Sequence, residues 1–131
     1  HPVGCALALE AIDIIINEKM IENVRNLEPI FMGGLKKFEE LEFIGEARGI
    51  GLMGALEMVH DKKTKTPFDG SVSIGERVAN KCIENGLICR PLGPSIVLCP
   101  PFITTEDEMG MIFETLDKTL RKVFDEVKSL G

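Results

Sequence analysis

Residues 3–19 carry apolar side chains on nearly every face of one helical pattern: Val3, Ala6, Leu7, Leu9, Ile12, Ile15 and Ile16. A helix that is apolar all round is stable in water only when most of its faces are covered. The chain has 131 residues, enough for one domain. The elements left over are too few to cover such a helix completely. It is therefore expected to offer a surface to something else, either a further domain or a second subunit. The chain also opens on His1-Pro2, directly in this pattern and with neither Met nor a signal peptide. That start reads as a cut inside a longer protein.

The rest alternates between helical and strand periods. Ile21, Val24, Leu27, Phe31, Leu35 and Phe38 keep helical spacing over residues 21–41, but Pro29 and Gly33-Gly34 interrupt it. An interior proline removes a hydrogen bond and clashes with the preceding turn, so a kink or break is expected near Glu28. Residues 48–59 switch to period two and predict a strand. Gly49, Gly51 and Gly54 within it imply close packing against the backbone. A loop follows over 60–72, with a turn at Pro67-Phe68-Asp69-Gly70. Ser73 and Glu76 have capping-box spacing and start a helix that ends at Gly86. Short strands are predicted over 87–90 and 95–99, closed by Pro100-Pro101. Thr105 and Glu108 form a second capping box before a last helix striped by Met109, Ile112, Phe113, Leu116, Leu120, Val123, Phe124 and Val127. The expected fold class is α+β: a small, mostly antiparallel sheet with helices on one face.

Several functions are excluded early. The net charge is −6, which repels phosphate backbones and argues against a nucleic-acid partner. The one basic cluster, Lys62-Lys63-Thr64-Lys65, is flanked by Asp61 and Asp69 and reads as a solvated loop. No apolar run is long enough to span a membrane. Cys5, Cys82, Cys89 and Cys99 make no C-x-x-C pair and only two histidines are present, so no metal site is expected. Their apolar surroundings favour reduced, buried thiols and a cytoplasmic setting.

Three places could carry chemistry. Arg90 stands at a strand end before a Pro-Leu-Gly-Pro turn. Its planar fork either grips a carboxylate ligand or pairs with one of the 21 acidic residues. His1 reads as incidental. Arg48 reads as an ion-pair partner of Glu46 or Glu57. The spacing Gly49-x-Gly51-x-x-Gly54 matches a dinucleotide motif but lies within strand alternation, so packing accounts for it.

The segments His1-Pro2-Val3-Gly4-Cys5-Ala6, Gly45 to Met53, Gly86 to Pro91 and Ser95 to Phe102 together resemble the class III, or omega-, aminotransferases. Lys65-Thr66-Pro67-Phe68 resembles a loop of the pyruvate-accepting members. Gly33-Gly34 departs from the family, which usually carries charged helix formers there. The resemblance implies that residues 1–131 are the C-terminal small domain of a fold-type-I enzyme, with residues 1–20 as the helix joining it to a large domain. It implies pyridoxal phosphate in the full-length enzyme, held as a Schiff base by a lysine upstream of residue 1. No catalytic or cofactor-binding residue, and no bound cofactor, is then expected in this chain itself. The implied partners are an amine donor and a keto-acid acceptor, in a homodimer. Arg90 becomes the substrate-binding residue, pairing with the substrate carboxylate. The isolated chain is expected to be inactive. The alternative is a free-standing α/β module that binds an amino acid or dimerises without turnover.

Overall fold

The period-two stretch near residue 50 is two strands joined by a tight turn, where one strand was expected. In the computed structural model, which describes residues 1–128, β1 (Ile44–Ile50) and β2 (Met53–Met58) pair antiparallel, with Ile50 opposite Met53. Gly51 occupies the first central position of the turn at φ +55°, the place where a type II′ turn requires glycine. Its N–H donates to Glu28 Oε1 at 2.7 Å. The turn sets Ile50 beside Met53, on the exposed face opposite Leu56 and Met58, so the run of even-numbered apolar residues does not mark a single face.

The other elements are α1 (Pro2–Asn17), α2 (Met20–Lys37), α3 (Ile74–Glu84), β3 (Arg90–Leu92), β4 (Ser95–Leu98) and α4 (Glu106–Lys128). One-turn 3₁₀ segments lie at Phe38–Glu40 and Gly70–Val72. The sheet runs β1-β2-β4-β3 with every pairing antiparallel. Ala47, Leu56, Ile96 and Leu98 point to one face and are buried under α2, α3 and α4. The core also takes Phe31 and Leu35 from α2, Val78 and Cys82 from α3, and Met109, Leu116 and Leu120 from α4. The α+β class and the one-sided helical layer match the sequence expectation.

The expected break at Pro29 is absent: α2 runs unbroken through it. Proline forfeits one backbone bond there, but Leu27, Phe31 and Leu35, one turn apart, are all buried, and their burial stabilises the helix by more than that loss. Gly33-Gly34 also fits. A Cβ on Gly34 would lie 2.3 Å from the Phe113 ring, so the missing side chain lets α2 approach α4.

The two predicted capping boxes part company. Thr105 and Glu108 form theirs: Glu108 Oε2 accepts from Thr105 N–H at 2.8 Å, and Thr105 Oγ1 accepts from Glu108 N–H at 3.3 Å. Ser73 does not cap α3. Its backbone is left-handed at φ 47° after the 3₁₀ turn, and its hydroxyl donates back to the Gly70 carbonyl at 3.3 Å. Cys5 and Cys99 are exposed, against the expectation of burial; only Cys82 and Cys89 are buried. Cys5 lies on α1, which the rest of the chain barely covers, and Cys99 lies just past the end of β4.

α1 buries none of its residues. Leu7, Leu9 and Ile16 are each about two-thirds exposed. The rest of the chain half-covers Ile15 and leaves the other residues of this helix exposed, more than the one bare face expected.

Glu39 ties the 3₁₀ segment to β1: its Oε1 accepts from Lys36 Nζ and from Ala47 N–H, each at 2.8 Å. The lysine first, and then the backbone donor, hold this carboxyl below its ordinary range. A depressed carboxylate contributes stability that is present above its unfolded-state value and is lost as pH falls through the lower folded value. Glu39→Gln is therefore expected to flatten the acid-side loss of stability in urea unfolding between pH 7 and the acid limb. An unchanged slope would remove Glu39 from that role.

Candidate functional site

α3 ends at Gly86, whose φ of +82° is the left-handed turn that glycine supplies at a helix end. Leu87 N–H donates to the Cys82 carbonyl at 2.9 Å, which closes the last turn. The chain then doubles back along α3 into β3. Strand β3 is only three residues long, lies at the sheet edge and pairs with β4. Pro91 is compatible with that edge, because its lack of an N–H leaves no inner partner unsatisfied. The strand begins at Arg90, three positions later than the 87–90 segment expected, so Arg90 opens this strand instead of ending one.

Strand register places the sequence candidates relative to one another. Arg48 faces Ala55, Ala55 faces Val97 and Val97 faces Arg90. Directly paired residues share a face, so the four form one row across the side of the sheet that carries no helices. The arginines stand three strands apart, about 14 Å at the usual spacing. Ala55 and Val97 between them are small.

The two arginines differ in their partners. Arg48 Nη1 donates to Glu57 Oε2 at 2.8 Å and to Glu46 Oε2 at 3.3 Å. The Glu57 bond, more than any other factor, holds its guanidinium even more firmly protonated. The ion-pair reading of Arg48 is thus correct, with both acids engaged. The Arg90 side chain is exposed, and among the described residues its guanidinium has no hydrogen-bond or ion-pair partner. Of its two sequence readings, the intramolecular salt bridge is not formed.

A cleft of about 280 Å³ adjoins this edge, lined by Pro67, Phe68, Ile74, Pro91, Gly93 and Pro94. It brings the Lys65-to-Phe68 loop beside the residue that follows Arg90. His1 is exposed at the start of α1 and makes no side-chain cap bond. Gly49 and Gly54 serve packing: a Cβ on Gly49 would lie 2.4 Å from the Met53 carbonyl oxygen, and one on Gly54 2.3 Å from Leu35. Among the described residues no cluster of His, Cys, Asp or Glu could hold a metal.

The described residues do not fit a Schiff-base site. A lysine that forms an imine at neutral pH must lose its proton readily, which takes burial or a neighbouring positive charge in a sheltered pocket. Every lysine here is exposed except Lys81, which is half-buried and bound to Glu84. Sequence reasoning did not find the shared face of Arg48 and Arg90. It depends on strand register, which leaves no local signal.

The family model for class-III aminotransferases matches residues 1–120. Gamma aminobutyrate transaminase 1, a mitochondrial protein of Solanum lycopersicum, is 37% identical over 130 residues, covering 99% of this chain and 25% of that protein. The solved omega-transferase of Vibrio fluvialis superposes with a TM-score of 0.97 at 60% identity, covering 98% of this chain and 31% of the other. An omega-aminotransferase of Paracoccus denitrificans superposes with a TM-score of 0.94 at 62% identity, covering 97% and 28%. The chain thus spans about a quarter to a third of the length of the proteins it matches. With the family's model matching residues 1–120 of its 131, the chain belongs to the class-III aminotransferases.

Proposed function

We propose that this chain is the C-terminal small domain of a transaminase that moves an amino group from an amine or amino acid to a keto acid such as pyruvate, using pyridoxal phosphate. The observation that carries the reading is Arg90. It is a cation on a rigid strand edge, unpaired among the described residues, in a row with an arginine that is fully engaged. A free guanidinium on a firm mount is suited to a carboxylate that comes and goes. In this reading Arg90 binds and orients the acid group of the acceptor, and turns to solvent when a donor without a carboxylate is bound.

Residues 1–20 then form the helix that joins this domain to a large domain. Coverage of α1 by that domain, within a homodimer, would account for its bare apolar surface. The cofactor is assigned to a lysine upstream of residue 1 in the full-length enzyme, since no described lysine is sheltered. Residues 1–131 alone are accordingly expected to be inactive. A cytoplasmic setting is part of the proposal, supported by the free, buried thiols of Cys82 and Cys89.

The test is Arg90→Ala in the full-length enzyme. Hydrogen bonds to a charged group are worth about 1.5–3 kcal/mol, so kcat/KM for the keto acid is expected to fall roughly 10- to 100-fold. Turnover of a carboxylate-free amine in the first half-reaction should change little. Equal losses for both substrates would overturn the carboxylate role.

A further inference from the structure

Asn85 is the last residue before the left-handed turn at Gly86, and both are exposed at the end of α3. Asn85 Nδ2 donates to the Lys81 carbonyl at 2.8 Å and to Thr119 Oγ1 at 3.2 Å. The side chain thus caps its own helix and ties it to α4, where Thr119 is buried. Gly86 N–H donates to the Ile83 carbonyl at 3.0 Å.

The carboxamide of an asparagine is open to attack by the backbone nitrogen of the residue that follows it. Glycine in that place has no side chain to block the approach and the widest choice of backbone angles. Asn17, Asn23, Asn26 and Asn80 are followed by the larger Glu18, Val24, Leu27 and Lys81. At Asn85 the two reacting groups are adjacent in the chain and open to water, and three hydrogen bonds fix their orientation. Those bonds lie at a helix end, the part of a helix that opens most readily.

We propose that Asn85-Gly86 is a site of spontaneous deamidation, reached when the last turn of α3 opens. Hydroxide takes the Gly86 amide proton, and the Gly86 nitrogen forms a bond to Asn85 Cγ. The Cγ–Nδ2 bond breaks, and Nδ2 takes up a proton and leaves as ammonia. Water then adds to one of the two imide carbonyls and the bond from that carbon to nitrogen breaks. The product is aspartate, or isoaspartate where the main chain runs through the former side chain. Nothing is oxidised or reduced.

Either product loses the donor to the Lys81 carbonyl. It also puts a negative charge at the C-terminal end of α3, where the helix dipole is already negative. Isoaspartate lengthens the main chain by one atom as well. The turn is thereby loosened five residues before Arg90. Any effect on the acceptor carboxylate rests on the proposed role of Arg90. Deamidation itself is read from peptide mass, whatever Arg90 does.

Trypsin cleaves after Lys81 and Lys118 but not between Arg90 and Pro91, so Asn85 falls on a peptide with no other carboxamide side chain. In the full-length enzyme, held folded at mildly alkaline pH over days, that peptide should exchange NH2 for OH. Part of the product should accept a methyl group from an isoaspartyl methyltransferase. Asn85→Gln should abolish the exchange, because its ring would be one atom larger. Thr119→Val keeps the side-chain shape but removes one acceptor, and should speed the exchange severalfold. No exchange in the folded enzyme long after the isolated tryptic peptide has converted completely would overturn the proposal. So would exchange at Asn17, Asn23, Asn26 or Asn80 as fast as at Asn85. Equal rates with and without the Thr119 hydroxyl would overturn the opening of the α3 end as the controlling step.

Discussion

Phe31→Ala is expected to lower the stability of this domain by about 3–5 kcal/mol, the range for removing a buried aromatic side chain. Phe31 is fully buried at the middle of α2. Its ring lies 6.0 Å from that of Phe113, and its edge fills the space left by the absent side chain of Gly54. It therefore joins α2, α4 and the sheet at one point. Neighbours held by backbone on three sides cannot collapse fully into the space, so the cavity penalty adds to the lost transfer energy. Domains of this kind have about 5–15 kcal/mol in total. The urea midpoint should fall sharply, with a near-unchanged slope. A loss below about 1 kcal/mol would show that the site repacks. Leu7→Ala on bare α1 is the contrast, expected within about 0.5 kcal/mol in the chain alone because little contact is lost.

Gly75→Ala should destabilise by about 1–3 kcal/mol, against the usual direction for a helical glycine. A Cβ at Gly75 would stand 2.2 Å from the Gly93 carbonyl oxygen and 3.5 Å from that of Ser95. Ordinary contact needs roughly 1 Å more, and the obstacle is backbone, which cannot rotate aside. Either the first turn of α3 or the β3–β4 turn must move. The second carries Gly93 at φ +58°, three residues after Arg90, so a shift there displaces the proposed carboxylate contact. Gly33→Ala is the matched control. Gly33 is also inside a helix, but open space surrounds its Cβ position, and alanine there should stabilise by up to about 1 kcal/mol. Thermal unfolding of both variants decides the matter; stabilisation by both would mean that the α3 contact is looser than 2.2 Å implies.

These two substitutions also mark how far the amino-acid order can be read. Phe31 is visible as a core residue from its helical spacing with Leu27 and Leu35. Gly75 carries no such mark, because its obstacle lies on a turn 18 residues later. Arg90 was singled out by its residue type and its place before a turn, but its lack of a partner follows from the whole surface around it. Arg48 was read as an ion-pair partner, and the hairpin supplied both acids: Glu46 along its own strand and Glu57 across from it.

What the sequence by itself determined is what neighbours within a few residues decide. The α4 start at Thr105 and Glu108 is of this kind, since a capping box satisfies its own donors locally. So are the end of α3 at Gly86, the buried stripe of α4 and the class-III resemblance carried by short segments in order. What only the tertiary structure decided involves partners far apart in the chain. Burial of Phe31 and Leu35 keeps α2 whole through Pro29. The turn at Gly51 divides one apparent strand into two. Strand register sets Arg48 and Arg90 in one row. Each is settled by packing across elements, where burial and backbone pairing outweigh the local preference of any single residue.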